Sequence, residues 1–304
     1  MEVTGEQPLP ASVPGEFRIT PLVAVAAVAG VFAVAAAFTD VATIEISGDL
    51  VSTDSWALND FASNYTVGAI IAALLLVGGA ALGATGRRIG SGLAGGAGLA
   101  LAGMMAMMIG QVTQQFDAAE VGLLSGGGSF TLTTTQEIGF WLGVLAALLG
   151  SVAFALALKD SRPDGLPPLQ PAIGIVGAVA TLLVVLGPLV PMNGADFAEQ
   201  FSNSFTPPAT LLLRLLVLLL IGVGGLTGFL VNRRWGIGLA LGAISVGAWQ
   251  TATALTESGD IPLGIAGGNW GADDFSPHIV TTIGVVVLVL AAVAGLLVAN
   301  QDRA

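Results

Sequence analysis

The sequence predicts an all-α polytopic membrane protein, with eight membrane-spanning helices built as two tandem, parallel four-helix repeats. Three observations predict it. The first is composition: the 304 residues are 54% hydrophobic, only 10% are charged, and mean hydropathy is +0.88. An ordinary soluble domain carries about 25% charged residues. The second is spacing, because apolar runs long enough to cross a hydrocarbon core recur along the whole chain. The third is a charged corner that occurs twice. Arg87-Arg88-Ile89-Gly90-Ser91-Gly92-Leu93-Ala94 and Arg233-Arg234-Trp235-Gly236-Ile237-Gly238-Leu239-Ala240 share the pattern R-R-x-G-x-G-L-A without a gap. Upstream, Val77-Gly78-Gly79 falls on Val223-Gly224-Gly225 at the same offset.

Residues 1–18, polar and carrying Pro8, Pro10 and Pro14, are expected to form a disordered cytoplasmic tail. Spans are then expected near 20–40, 66–85, 90–111, 138–158, 171–191, 209–231, 236–255 and 278–299. They should be helices, since lipid offers no partner to an unpaired backbone group. The run from Pro21 to Phe38 lacks the basic leader of a secretory signal. A similar run from Pro171 lies deep in the chain, so both read as spans. Pro21, Pro171 and Pro207-Pro208 fit first-turn positions, where a missing N–H is least costly. Pro188 and Pro191 should end or bend the fifth span. The first repeat is expected over 19–162 and the second over 163–304.

Orientation follows from the basic residues. Arg18, Arg87, Arg88, Lys159, Arg162, Arg233, Arg234 and Arg303 lie in the tails or in alternate short connections, and the other connections hold no Lys or Arg. The positive-inside rule puts both termini in the cytoplasm. Composition suggests a prokaryotic plasma membrane. The outer connections instead carry the acids that give the chain its net charge of −11. That charge argues against a nucleic-acid partner. With no Cys, disulfides and thiolate chemistry are excluded.

Small residues four apart let helices approach closely in lipid. Gly92 and Gly96 are matched by Gly238 and Gly242 in the third and seventh spans, and Gly79-xxx-Gly83 and Gly224-xxx-Gly228 lie in the second and sixth. These positions predict tight hairpins at the cytoplasmic end. Arg214 is the only cation inside an expected span. The corner offset gives it Gly68 as counterpart, and hairpin counting sets it level with Thr253, one turn from Glu257. An Arg214–Glu257 pair, or a pair with another outer carboxylate, is expected; the alternative is an anionic head-group or substrate contact. Gln250, Thr251 and Thr253, with Gln111, Gln114 and Gln115, would bond between helices or line a polar vestibule. Trp141, Trp249 and Trp235 fit interfacial anchors. His278 beside Asp273 and Asp274 falls short of a metal site, and Gly126-Gly127-Gly128 lacks the Lys of a phosphate loop.

No catalytic set or cofactor is implied. The expected function is a non-enzymatic membrane component, an accessory or scaffold subunit that works with lipid and a partner membrane protein, or as a homo-oligomer. One alternative is a transporter or channel for a small cation or polar solute. A third reading is an envelope enzyme acting on lipid-linked substrate near Asp40 and Glu45.

Overall fold

The computed structural model describes residues 19–47, 52–57, 63–125, 131–161, 169–186, 208–231, 234–244, 261–262, 269–270 and 279–301. The chain is mostly helical. Four helical segments are long and apolar enough to cross a membrane: Pro21–Phe38, Thr66–Ala84, Arg88–Ala106 and Ile138–Asp160. Four shorter apolar stretches, Pro171–Leu186, Val217–Leu230, Arg234–Ile244 and Ile283–Gly295, follow among the described residues.

α1 (Pro21–Phe38) opens as its sequence demands: Pro21 sits in the first turn and the Thr20 hydroxyl accepts from the Val23 N–H at 3.4 Å. Thr39 closes the helix by donating its hydroxyl to the Ala35 carbonyl at 2.9 Å. The chain then runs straight into β1 (Asp40–Ser47), which pairs antiparallel with β2 (Ser52–Ala57). α2 (Ser63–Ala84) descends to the first arginine corner, and α3 (Arg88–Ser125) returns from it. β3 (Thr131–Gln136) pairs with the other edge of β1 and leads into α4 (Ile138–Ala157). The second half holds α5 (Pro171–Leu186), α6 (Pro208–Leu230), α7 (Arg234–Ile244) and α8 (Ile279–Gln301). A two-residue antiparallel ladder, β4 (Ile261–Pro262) with β5 (Asn269–Trp270), precedes α8.

The expectation of an all-α chain is corrected here. A three-stranded sheet of order β2-β1-β3 caps the first half. It forms where the chain has left lipid, in stretches rich in β-branched residues such as Val41-Ala42-Thr43-Ile44 and Thr133-Thr134-Thr135. The sheet is tied to the helices below it. The Glu137 N–H donates to the Val41 carbonyl at 3.0 Å, and the Thr43 hydroxyl donates to Glu137 Oε1 at 2.9 Å.

The third helix also differs from expectation. Its apolar stretch ends near Gln111, yet the helix runs 38 residues to Ser125. At 1.5 Å per residue that is about 57 Å, against a hydrocarbon core of about 30 Å. The segment apolar enough to cross a membrane ends at Ala106, and the helix continues past it.

Each half has its own apolar core. In the first, Leu76, Leu101 and Met105 sit among alanines of α1 to α4. In the second, Val184, Ile221, Ile244 and Leu288 come from α5 to α8. The α3 segment Arg88–Ala106 is 83% buried, while the other three long spans are 28–44% buried. α3 is therefore the most enclosed of the four, packed between α2 and α4 of its own half and α6 of the other. The lipid-facing helices show their outer stripes: Leu74, Leu148, Ile175 and Leu290 are exposed.

Candidate functional site: the glycine seam between the halves

The sequence repeats glycine at the start of α3 and α7 because nothing larger fits there. A Cβ on Gly92 would strike the Trp235 carbonyl and come within 3.0 Å of the Leu239 nitrogen. One on Gly238 would strike the Ile89 carbonyl and come within 2.8 Å of the Leu93 nitrogen. One turn further on, Gly96 meets the Leu239 carbonyl and the Ala243 nitrogen, the latter at 2.7 Å. Gly242 meets the Leu93 carbonyl and the Ala97 nitrogen, the latter at 2.6 Å. The contacts that Gly92 and Gly96 make with α7 are returned by Gly238 and Gly242 with α3. A step forward along one helix is answered by a step forward along the other, so α3 and α7 run in the same direction. At these four glycines the two helices lie backbone against backbone.

The glycines just before each corner serve the hairpins. Within the first, Gly79 lies against Ala94 and Gly90, and a Cβ on it would sit 2.6 Å from the Ala94 nitrogen. Within the second, a Cβ on Gly224 would sit 2.9 Å from the Gly236 carbonyl and 3.2 Å from the Ala240 nitrogen. Gly83 meets Ser91, and Gly228 meets Ile237. Ala94 and Ala240, Gly90 and Gly236, and Ser91 and Ile237 are equivalent positions of the two corners. Gly79 thus plays the part of Gly224, and Gly83 that of Gly228.

That equivalence is one residue closer than the spacing of the corners, so the expected match of Gly78 with Gly224 is corrected. Burial agrees. Ala73 and Leu218 are buried, as are Leu76 and Ile221, while Leu74 and Leu219 are both exposed. Three residues separate the helices at both corners, 85–87 and 231–233, and the extra residue of the second lies within α6 after Gly228. In the first, Gly86 closes the turn at φ +82°, a left-handed conformation that glycine adopts without steric cost. Its N–H donates to the Gly83 carbonyl at 2.9 Å. The counterpart of Arg214 becomes Ala69 in place of Gly68.

Trp235 was read as an interfacial anchor and is corrected to a buried strut. It is 7% exposed, and its Nε1 donates to the Ala157 carbonyl at 2.9 Å. Ala157 ends α4, where carbonyls have no partner within their own helix. The side chain therefore joins the second half to the first at the end of the seam. Nothing in the sequence pointed to Ala157, because the bond spans two distant segments. Trp141, by contrast, is 55% exposed and stands edge-on to Phe140, as an interfacial residue would.

The buried polar groups among the described residues are Thr66, Ser91 and Thr181. Ser91 and Thr181 donate back to carbonyls of their own helices, Arg88 at 2.9 Å and Gly177 at 2.8 Å. This is how hydroxyls are accommodated inside helices. Asp40 and Glu45 lie on β1, both exposed. Arg87 is exposed at the first corner, and Arg88 and Arg234 begin α3 and α7. Arg214 lies in the described helix α6. Gln250, Thr253, Glu257, Trp249, Asp273, Asp274, His278 and Arg233 lie outside the described residues, as do the 1–18 tail and Gly126 to Gly128.

Comparison with known proteins finds no matching family model, no similar curated protein and no similar solved structure. Function must therefore be argued from the seam and its surroundings alone.

Proposed function

We propose that this chain is a non-enzymatic integral membrane component, a rigid scaffold on which other membrane or envelope proteins assemble. It is built from two copies of a four-helix unit, residues 19–162 and 163–304. The copies face the same way across a prokaryotic plasma membrane, with both termini in the cytoplasm. An even-numbered unit repeats in parallel, so the copies are related by an axis along the membrane normal. All eight helices cross the bilayer in this reading.

The observation that carries it is the seam. The returned contacts of Gly92, Gly96, Gly238 and Gly242 are those of two like surfaces meeting about a two-fold axis. Such an interface has no room for solvent, and no ionisable group is buried among the residues whose side chains are described. A closed, apolar centre supports a structural role over a solute path along this axis. The acidic outer connections and the sheet of the first unit remain as the surfaces a partner would meet.

Two measurements test the reading. Because the chain has no Cys, single cysteines are clean reporters of side. Cysteines replacing Gly86 and Asn232 should react with a membrane-impermeant maleimide only from the cytoplasmic face, and one replacing Ser55 only from the outside. Crosslinking in native membranes should then capture a larger complex. Repeated recovery of a lone monomer, with no crosslinked species, would sink the scaffold role.

A further inference from the structure

Every cation whose side chain the structure describes lies at one end of the seam. We propose that the two arginine corners form a single site, shared by both halves, that holds the phosphate of an anionic phospholipid at the membrane surface. The proposal rests on α2 and α3 crossing the bilayer. It depends neither on the scaffold role nor on the side from which the corners emerge. Recovery of a lone monomer would overturn the scaffold and leave this site untouched.

The seam brings the corners together. Gly92 lies against Trp235 and Leu239, and Gly238 against Ile89 and Leu93, so equivalent residues of α3 and α7 stand level. Arg88 and Arg234, each four residues before its glycine, therefore open the two helices side by side. Glycine contact keeps the axes about 8 Å apart, the lower limit for packed helices. α4 delivers a further cation to the same place. It runs antiparallel to α3, with Gly143 against Ile109 and Ala157 against Gly95. Lys159 follows in the short turn Leu158–Asp160, two residues beyond the carbonyl that Trp235 holds. Arg87 and Lys159 are exposed, and Arg88 and Arg234 are half-buried.

Charge and depth together select the ligand. Among the described side chains, Asp160 is the one carboxylate at this end. Asp40, Glu45, Asp54 and Glu137 lie at the other, on the sheet and at the start of α4. Four cations thus meet one acid, at the edge of a hydrocarbon core where water screens like charges less well than in bulk. An anionic phosphate relieves that excess, and guanidinium matches it with paired N–H groups. The corner also stands where the apolar segment Thr66–Ala84 ends and Arg88–Ala106 begins. Lipid headgroups occupy that level, and anionic ones gather at basic clusters beside a span.

The full-length protein in nanodiscs of equal phosphatidylglycerol and phosphatidylcholine tests the site. Native mass spectrometry would count the lipid retained by wild type, R87Q/R88Q, R234Q and R88K/R234K. Wild type should keep one phosphatidylglycerol in preference to phosphatidylcholine. Neutralising either corner should cut that retention about tenfold, the worth of one charged hydrogen bond. The lysine variant preserves charge and should keep most of it. Should the glutamine variants fail to fold, wild type alone decides. Its melting temperature should be higher in phosphatidylglycerol than in phosphatidylcholine, and added salt should erase the difference. Equal retention of the two lipids, a loss confined to one corner, two lipids lost one corner at a time, or a lipid preference indifferent to salt would each overturn the shared site.

Discussion

The two arginine corners reach one packing arrangement although their glycines stand at different distances from the turn. In the first, α2 hands over to α3 through Thr85-Gly86-Arg87, with Gly86 at φ +82°. The second spends an extra residue between Gly228 and Arg234, yet Gly224 and Gly228 rest on Gly236 and Ile237 as Gly79 and Gly83 rest on Gly90 and Ser91. Helix contact is thus what the two corners share, and the number of helical residues between glycine and turn is not. A glycine contact cannot shift by one residue without turning a different face to its neighbour.

The comparison can be broken most severely at the seam. Gly92→Ala and Gly238→Ala should each lower stability in detergent by about 1–3 kcal/mol, because the new methyl meets backbone that cannot rotate aside. The two losses should be similar, and the double variant should lose less than their sum once the helices have been forced apart. Thermal unfolding followed by tryptophan fluorescence would measure both. Clearly unequal losses would show that the two sides of the seam are not equivalent.

Next in size is the strut. Trp235→Phe leaves the Ala157 carbonyl buried without its donor and should cost about 1–2 kcal/mol. At the equivalent first-corner position, Ile89→Val removes a methylene and no hydrogen bond, so its cost should be smaller. Gly86→Ala isolates the turn itself. Nothing lies within 4 Å of a Cβ there, so its cost of roughly 1 kcal/mol would come from the left-handed backbone alone. The smallest effect, of opposite sign, is expected at Gly78. A Cβ there also meets nothing within 4 Å, and Gly78→Ala should stabilise α2 by about 0.5–1 kcal/mol. Destabilisation by Gly78→Ala would mean that the hairpin register differs from the one described.

The helices were legible because lipid imposes a length and an apolarity that few other environments demand. The apolar runs starting near Pro21, Ile138 and Pro171 predicted helices that begin at those residues. The repeated R-R-x-G-x-G-L-A corner pointed to the glycines that matter. Their partners were harder to see: Gly92 could have faced its own hairpin or the other half, and spacing alone does not separate the two. The sheet went unread because the outer connections were judged by charge. Asp40–Ser47 and Thr131–Gln136 carried β-branched residues that could have disclosed it. The extra residue at the second corner was hidden by an alignment that matched Val77-Gly78-Gly79 letter for letter while the packing had moved by one.

The meshing of α3 with α7 also limits how the halves can travel. Two toothed rods engaged at four-residue intervals act as a detent: a small slide drives an alanine or leucine β-carbon into the opposing carbonyl. Relative motion between the halves would then come in whole helical turns of about 5.4 Å, or as a pivot about the joint. Gradual creep is the movement this joint forbids.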